Sequence, residues 1–281
     1  MSYTFRPEYF YRMPTHFGPS LGPRQGADGQ RYENLTCKDT SLEMVFHADP
    51  EQLDKLLPPG FVLREPYQTS LTFGYGTDLE WLAGRGYNTF GVSVPATYCG
   101  DQDTVHGDLL LVLWENMADP IITGREDLGF AKVYCDIPEL QFVDDKVICR
   151  ASWDGFEFAR FQLSGLKEVS SDDLAHSESK LEEHPSEGML HYKYFPKTST
   201  PGESDFEYAA LTPADWPNVV VDKTMVADKA EGGFVRATWE QLPTLVHIVH
   251  ALSELTLDDC ISATLTKSHG GKDLSDQRIL R

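Results

Sequence analysis

From Phe61 to Ser164 the chain keeps an almost continuous two-residue alternation of apolar and polar side chains, and no other feature of the sequence constrains its fold as strongly. Period-two alternation marks strands that bury one face. Strand-like runs fall at 61–66, 69–82, 86–99, 106–117, 131–135, 140–150 and 152–164, most of them separated by turn residues. A shorter run precedes them at Leu42 to Phe46, and others follow at 189–195, 204–212 and 217–227. Many strands at short spacing with few helices between them predict a mainly β (α+β) fold. The expected form is an antiparallel sheet closed on itself as a β-barrel, because closure removes exposed edges.

Helical signals are few. Asp49-Pro50-Glu51-Gln52-Leu53-Asp54-Lys55-Leu56-Leu57 reads as a helix capped by Asp49 with proline at its first position, stopped by Pro58-Pro59-Gly60. Thr238-Trp239-Glu240-Gln241 has the capping-box form, and Leu242, Leu245, Val246, Val249 and Leu252 then recur on one helical face. His247 and His250 sit three apart there, with no third ligand at a recognisable spacing, and read as ordinary helix-face histidines. Residues Met1 to Lys38, rich in Pro, Gly, Tyr and Arg, predict an extended arm. Ser170 to Gly188, with Ser170-Ser171-Asp172-Asp173 and Leu181-Glu182-Glu183, predicts an exposed excursion of helix and loop. No linker or internal repeat divides the chain, so one domain over 1–281 is expected.

Charge excludes several partners. Asp and Glu number 44 against 24 Lys and Arg, a formal net charge of -20. Such a surface repels phosphate backbones and anionic lipid, so neither nucleic acid nor a membrane is an expected partner. The strongly apolar stretch Asp108 to Trp114 is far too short to span a bilayer, and Met1 to Glu8 has no secretory pattern, so a cytoplasmic protein is expected. Cys37, Cys99, Cys135, Cys149 and Cys260 are odd in number, far apart and free of any C-x-x-C pair, and predict reduced thiols.

No phosphate loop, Gly-x-Ser-x-Gly elbow, His-Glu-x-x-His or Rossmann fingerprint is present, so neither a metal nor a nucleotide cofactor is expected. Attention falls on Asp119 to Tyr134, where a turn, an Arg125-Glu126 pair and Gly129 precede Lys132 in a β-like run. Alternation places Phe130, Lys132 and Tyr134 on one face, so the lysine lies between two aromatic rings. A lysine is a useful amine nucleophile only when a fair fraction is unprotonated near neutral pH. From an ordinary value near 10.4, that takes roughly 4 to 5.5 kcal/mol against the ammonium form. Burial against apolar walls supplies such a penalty. A surface lysine passing two rings, and a structural Arg125–Glu126 ion pair, are the alternatives from local sequence alone.

Gly124-Arg125-Glu126 followed by Phe130-Ala131-Lys132 resembles the active-site motif of the acetoacetate decarboxylase family, and Leu53 to Pro58 and Tyr87 to Pro95 resemble, more faintly, its early helix and the strand before the motif. The resemblance implies a cone-like antiparallel barrel, an imine between Lys132 and a ketone, and a homo-oligomer. That family is a standing illustration of a lysine activated by desolvation or a cationic neighbour. Three departures matter. The second lysine of the pattern is Val133, the strand glutamate is Thr89, and the substrate-binding arginine has only Arg24 and Arg31 as candidates, with Asp39 near the aligned position.

Acetoacetate itself is therefore not the expected substrate. The resemblance implies a Schiff-base lyase, a decarboxylase or an aldolase- or dehydratase-type enzyme, acting on a larger keto acid or polyketide-like carbonyl compound, as in secondary metabolism. Lys132 is the expected nucleophile, Arg125 and Glu126 order the turn or the pocket edge, and Tyr134 or His106 moves a proton. An imine-independent cyclase or isomerase and a non-catalytic small-ligand barrel are the competing readings.

Overall fold

The structure, a computed structural model, describes residues 5–7, 11–13, 20–21, 25–26, 28–169 and 185–281. Most of the arm predicted for 1–38 and of the excursion predicted for 170–188 thus lies outside the described residues. Within the arm, β1 (Tyr11–Arg12) pairs with β2 (Ser20–Leu21). The chain continues through β3 (Lys38–Ala48), α1 (Pro50–Asp54), β4 (Phe61–Leu63), β5 (Gln68–Leu79), β6 (Arg85–Cys99) and β7 (Thr104–Glu115). Then α2 (Ala118–Thr123) and a π-helical turn (Gly124–Leu128) lead into β8 (Lys132–Tyr134). β9 (Gln141–Val143), β10 (Lys146–Trp153), β11 (Phe156–Ser164) and β12 (Lys167–Val169) follow. The remainder is β13 (Gly188–Pro196), β14 (Ser204–Pro213), β15 (Val220–Val226), β16 (Lys229–Phe234), α3 (Val246–Ser253), β17 (Leu257–His269) and β18 (Arg278–Ile279).

A 12-stranded sheet runs β12-β15-β17-β3-β5-β6-β7-β13-β14-β18, with β4 paired to β6 and β8 to β7. It is open. The path does not return on itself, so the expected closed barrel is not formed, and the edges are managed by brevity instead: β12 has 3 residues and β18 has 2, too short to template another strand. The sheet is also not wholly antiparallel, because the helical crossover after β7 returns β8 parallel to it. β13 is parallel to β7 as well, through Met189 and Leu190 against Asp108 and Leu109. β8 and β13 thereby share the edge of β7 that β6 leaves free, and the lysine strand fills the gap beyond β13.

A second sheet, β16-β11-β10-β9, covers one face of the first. Between them lie Leu42, Leu71, Phe73, Phe90 and Trp114 from the large sheet, Phe158, Phe161 and Leu163 from the small one, and Val249 and Leu252 from α3. Phe90 stacks between Phe73 at 4.0 Å and Trp114 at 5.2 Å. The same face of β6 carries Val94 and Ala96 into a second cluster with Val105, Leu109 and Leu190. β7 serves both clusters with opposite parity, Leu109 in one and Val112 and Trp114 in the other. The cause is a bulge: Val92 pairs with Val112 but Ser93 with Leu110, leaving Leu111 as an extra residue. Its consequence is that Glu115, which strict alternation from Leu109 would aim into the core, faces the opposite side of the sheet.

Local chemistry explains the other elements. Asp49 caps α1 through its side chain to the Glu51 N–H at 2.9 Å. The late helix starts at Val246 rather than within the capping box, because Thr244 takes a positive φ of 65°. Half of the box still forms, with the Gln241 side chain accepting from the Thr238 N–H at 2.9 Å. β17 carries no strong sequence signal, since Leu257–His269 is mostly polar and is interrupted by register shifts against β3. All five cysteines are free thiols. Among the described residues no helix is long and apolar enough to cross a membrane.

Because Phe90 is fully buried between two rings, Phe90→Ala should lower unfolding free energy by about 3–5 kcal/mol in a urea titration. A loss below about 1 kcal/mol would contradict the packing described here.

Candidate active site

Where β7 ends, the Asn116 side chain accepts from the Asn88 N–H at 2.8 Å, and the chain turns into α2. The π-helical turn widens the last turn of this helix, and Gly129, at φ 76°, ends it in the left-handed region that glycine tolerates. Two ties fix the turn to the lysine strand: the Phe130 N–H donates to the Gly124 carbonyl at 3.1 Å, and Arg125 Nη1 donates to the Lys132 carbonyl at 2.9 Å. A third tie comes from β13, where buried Lys193 donates to the carbonyls of Glu126 at 2.6 Å and Asp127 at 3.2 Å. The rings of Phe195, Phe206 and Tyr208 surround its ammonium at 5.5 to 5.6 Å. The sequence analysis missed Lys193 because it reads as one polar position in an alternating strand.

Lys132 is buried, with 7% of its surface exposed. Its Nζ lies 2.8 Å from Glu115 Oε1, 3.2 Å from the Pro120 carbonyl and 5.2 Å from the centre of the Phe130 ring. Gly124 makes that path possible, since a Cβ there would lie 2.5 Å from Cδ and Cε of Lys132. Glu115 is 1% exposed, and its Oε2 accepts no hydrogen bond among the described residues. Burial pushes the Glu115 carboxyl up, while the charge and hydrogen bond of Lys132 oppose that rise. The pair therefore sets an amine and a carboxylate within hydrogen-bonding distance in a largely buried place.

Behind Phe130 lies His191, with ring centres 4.1 Å apart. Burial, helped by the charge of Lys132, pushes this imidazole down to about 3, so it is neutral near pH 7. Its Nε2 is paired with Thr212 Oγ1 at 2.9 Å, and Nδ1 has no partner among the described residues.

A cavity of about 450 Å³ opens in front of the lysine, with Lys132, Gly124, Thr123 and Pro120 on one side and Asp39, Tyr87 and Trp81 on the other. Lys272 also lines it but is committed to the Pro213 carbonyl at 2.7 Å, Asp276 at 2.8 Å and the Trp216 ring at 4.8 Å. Burial alone pushes the Asp39 carboxyl up to about 6. The same force, with the charges of Glu115 and Asp39, raises the phenol of Tyr87 above its ordinary range.

The residues singled out from the sequence are only partly brought together. Thr89, where the family pattern has a glutamate, is directly opposite Glu115 across β6 and β7. Arg125 is exposed and acts on the lysine strand through its backbone, while Glu126 contributes its carbonyl to Lys193. Phe130 precedes the strand but keeps its ring by the lysine. Tyr134 is not a pocket residue, because it is 45% exposed and its hydroxyl donates to Asp136 at 2.8 Å. His106 is not one either. It sits nine residues back along β7, about 30 Å away at strand rise, bonded to Thr97 at 2.9 Å. Arg31 pairs with Asp273 and Ser275 at 3.5 and 3.4 Å, and Arg24 lies outside the described residues.

Asp39 gives a pH test with a definite sign. The folded chain keeps its proton up to about pH 6, whereas the unfolded chain loses it near 3.8. This group's favourable share is therefore complete below about pH 4 and is lost as pH rises to 6, a difference of about 3 kcal/mol. Asp39→Asn should raise stability at pH 7.5 by up to that amount, with the gain shrinking as pH falls from 6.5 towards 4. A pH-independent effect, or a loss at pH 7.5, would contradict the burial assigned to this carboxylate.

Comparison with known proteins follows the same lines. The sequence model of the acetoacetate decarboxylase (ADC) family matches residues 12–267. No curated protein sequence matches the chain. Acetoacetate decarboxylase from Legionella pneumophila subsp. pneumophila str. Philadelphia 1 superposes with a TM-score of 0.63 at 15% identity, over 88% of this chain and 87% of that one. An acetoacetate decarboxylase-like enzyme from Sphingomonas wittichii RW1 gives 0.61 at 15% identity, over 87% and 92%. The enduracididine biosynthesis enzyme MppR, complexed with the condensation product of pyruvate and imidazole 4-carboxaldehyde, gives 0.57 at 13% identity, over 86% and 87%. At these identities the structural likeness is one of fold. Matched over most of its length by the family's sequence model, the chain belongs to the acetoacetate decarboxylase family.

Proposed function

We propose that the protein is a Schiff-base-forming lyase whose nucleophile is Lys132 and whose substrate is a carbonyl compound larger than acetoacetate. The observation that carries this reading is the amine itself: a buried lysine at the wall of a 450 Å³ cavity, given room by Gly124 and a proton acceptor 2.8 Å away in Glu115. Amine nucleophiles gain reactivity from such desolvation.

The steps follow from those groups. Glu115 takes a proton from the ammonium of Lys132, and the freed amine adds to the substrate carbonyl to give a carbinolamine. Glu115 returns the proton to the departing hydroxyl, water leaves, and an iminium remains. That cation draws the bonding pair of an adjacent carbon. If the pair comes from a C–CO₂⁻ bond, carbon dioxide leaves, and the enamine is then protonated at carbon; if it comes from a C–H bond, Glu115 takes the proton, the enamine adds to an aldehyde, and the proton passes to the new alkoxide. Hydrolysis of the resulting iminium releases product and restores Lys132. Decarboxylation and aldol-type chemistry share every step up to the iminium.

Reversible imine formation exchanges the ketone oxygen with solvent. In ¹⁸O-labelled water, the wild type should speed exchange into at least one of a panel of methyl ketones, and Lys132→Arg should slow it at least 100-fold. Gly124→Ala, which displaces the lysine side chain, should slow it at least 10-fold. Product formation that persists in Lys132→Arg without oxygen exchange would instead favour acid-base chemistry without an imine.

A further inference from the structure

One carboxylate in the cavity has no counterpart in those steps. Asp39, at the start of β3, has no hydrogen-bonding or ionic partner for its side chain among the described residues, and burial works against its charge. Next to it the floor of the sheet is lowered by Gly74 and Gly76 on β5. These glycines open a side pocket of about 150 Å³ that shares Cys37, Asp39, Leu79, Tyr87 and Gly270 with the main cavity and adds Thr89 and Lys38, whose ammonium is paired with Asp78 at 2.9 Å. A Cβ on Gly74 would lie 2.7 Å from Thr89 Oγ1 and 3.6 Å from Asp39 Oδ1, so Gly74 keeps the space between a hydroxyl and a carboxylate empty.

Distance decides what Asp39 can do. The Lys132 amine lies beside Glu115 on β7, and the Asp39 carboxylate lies over Gly74 on β5. Two strand spacings separate them, about 10 Å. That is too far for Asp39 to exchange a proton with a carbonyl attached to Lys132. It is the right distance for a second contact with the same substrate, with a chain of about four methylenes between the carbonyl and the group bound at Asp39. An unpartnered carboxylate repels an anionic end group and is relieved by a cationic N–H donor. The net charge of -20 acts in the same direction, drawing cations towards the protein.

We propose that the Gly74–Asp39–Thr89 side pocket is a specificity subsite for a cationic nitrogen at the far end of the substrate, so that the protein acts on an amino-substituted carbonyl compound. This rests on the reading of Lys132 as the carbonyl-binding group, but its test is separate. Three ketones of matched length serve as probes: 6-(dimethylamino)hexan-2-one, its neutral isostere 7-methyloctan-2-one, and the anionic 6-oxoheptanoate. Titration calorimetry at pH 7.5 with the wild type should give at least 10-fold tighter binding for the amine than for the isostere, and weakest binding for the anion. Asp39→Asn, close in shape, should bring amine and isostere within about 2-fold. Gly74→Ala, whose Cβ fills the space between Thr89 and Asp39, should weaken the amine.

Equal binding of the three probes, tightest binding of the anion, no binding of the amine, or a preference that survives in Asp39→Asn overturns the subsite. Oxygen exchange from acetone then still reports on Lys132 by itself. Conversely, an Asp39-dependent preference with no exchange into any ketone supports the subsite and removes the imine.

Discussion

A single buried ion pair, Lys132 with Glu115, sets the requirements for the rest of the site. Taking two charges out of water costs several kcal/mol per ion, and close geometry with further hydrogen bonds has to offset it. Here the offset is incomplete. The lysine has the carboxylate and the Pro120 carbonyl, but Glu115 keeps one oxygen without a hydrogen bond. The pair is held by what surrounds it: β8 locked parallel to β7, the π-helical turn tied down by Lys193 and Arg125, and Gly124 leaving a channel for four methylenes. Such an arrangement does little for stability and places an amine beside a carboxylate at the wall of a cavity.

The bulge in β7 is the small irregularity on which that pair depends. One extra residue, Leu111, lets the same strand send Leu109 into one core cluster and Trp114 into the other, while turning Glu115 towards Lys132. Fold and site are coupled at this point: the aromatic stack of Phe73, Phe90 and Trp114 fixes β6 and β7 on one face, and the register so fixed sets Thr89 opposite Glu115 on the other.

How much of this can be read in the sequence follows from the same details. Lys132 and Gly124 are visible because a short contiguous motif carries them, and the strands from Gln68 to Ser164 are visible because one face of each is apolar. Glu115 is not. The run Leu109-Leu110-Leu111-Val112-Leu113-Trp114 hides a bulge, since every residue in it is apolar whichever side it faces, and alternation counted through it puts Glu115 in the core. Tyr134 fails the other way: its parity matches Lys132, but the strand ends there and the phenol meets solvent and Asp136. Openness of the sheet is also invisible, because alternation reports that one face is buried and not whether the last strand meets the first. Asp39 shows in the sequence only as a residue near the aligned arginine position, and its place at a cavity emerges from the fold, which sets it across from glycines on β5.

The central claim is that Lys132 forms a covalent imine with a carbonyl substrate, and reduction of that imine tests it most directly. The wild type would be incubated with a panel of ketones and keto acids, treated with borohydride, digested and mapped by mass spectrometry. The account predicts an added mass equal to the reduced carbonyl compound on Lys132 alone, and none in Lys132→Arg. Adducts spread over exposed lysines at equal levels in wild type and variant, or no adduct from any compound that the protein demonstrably binds, would contradict it.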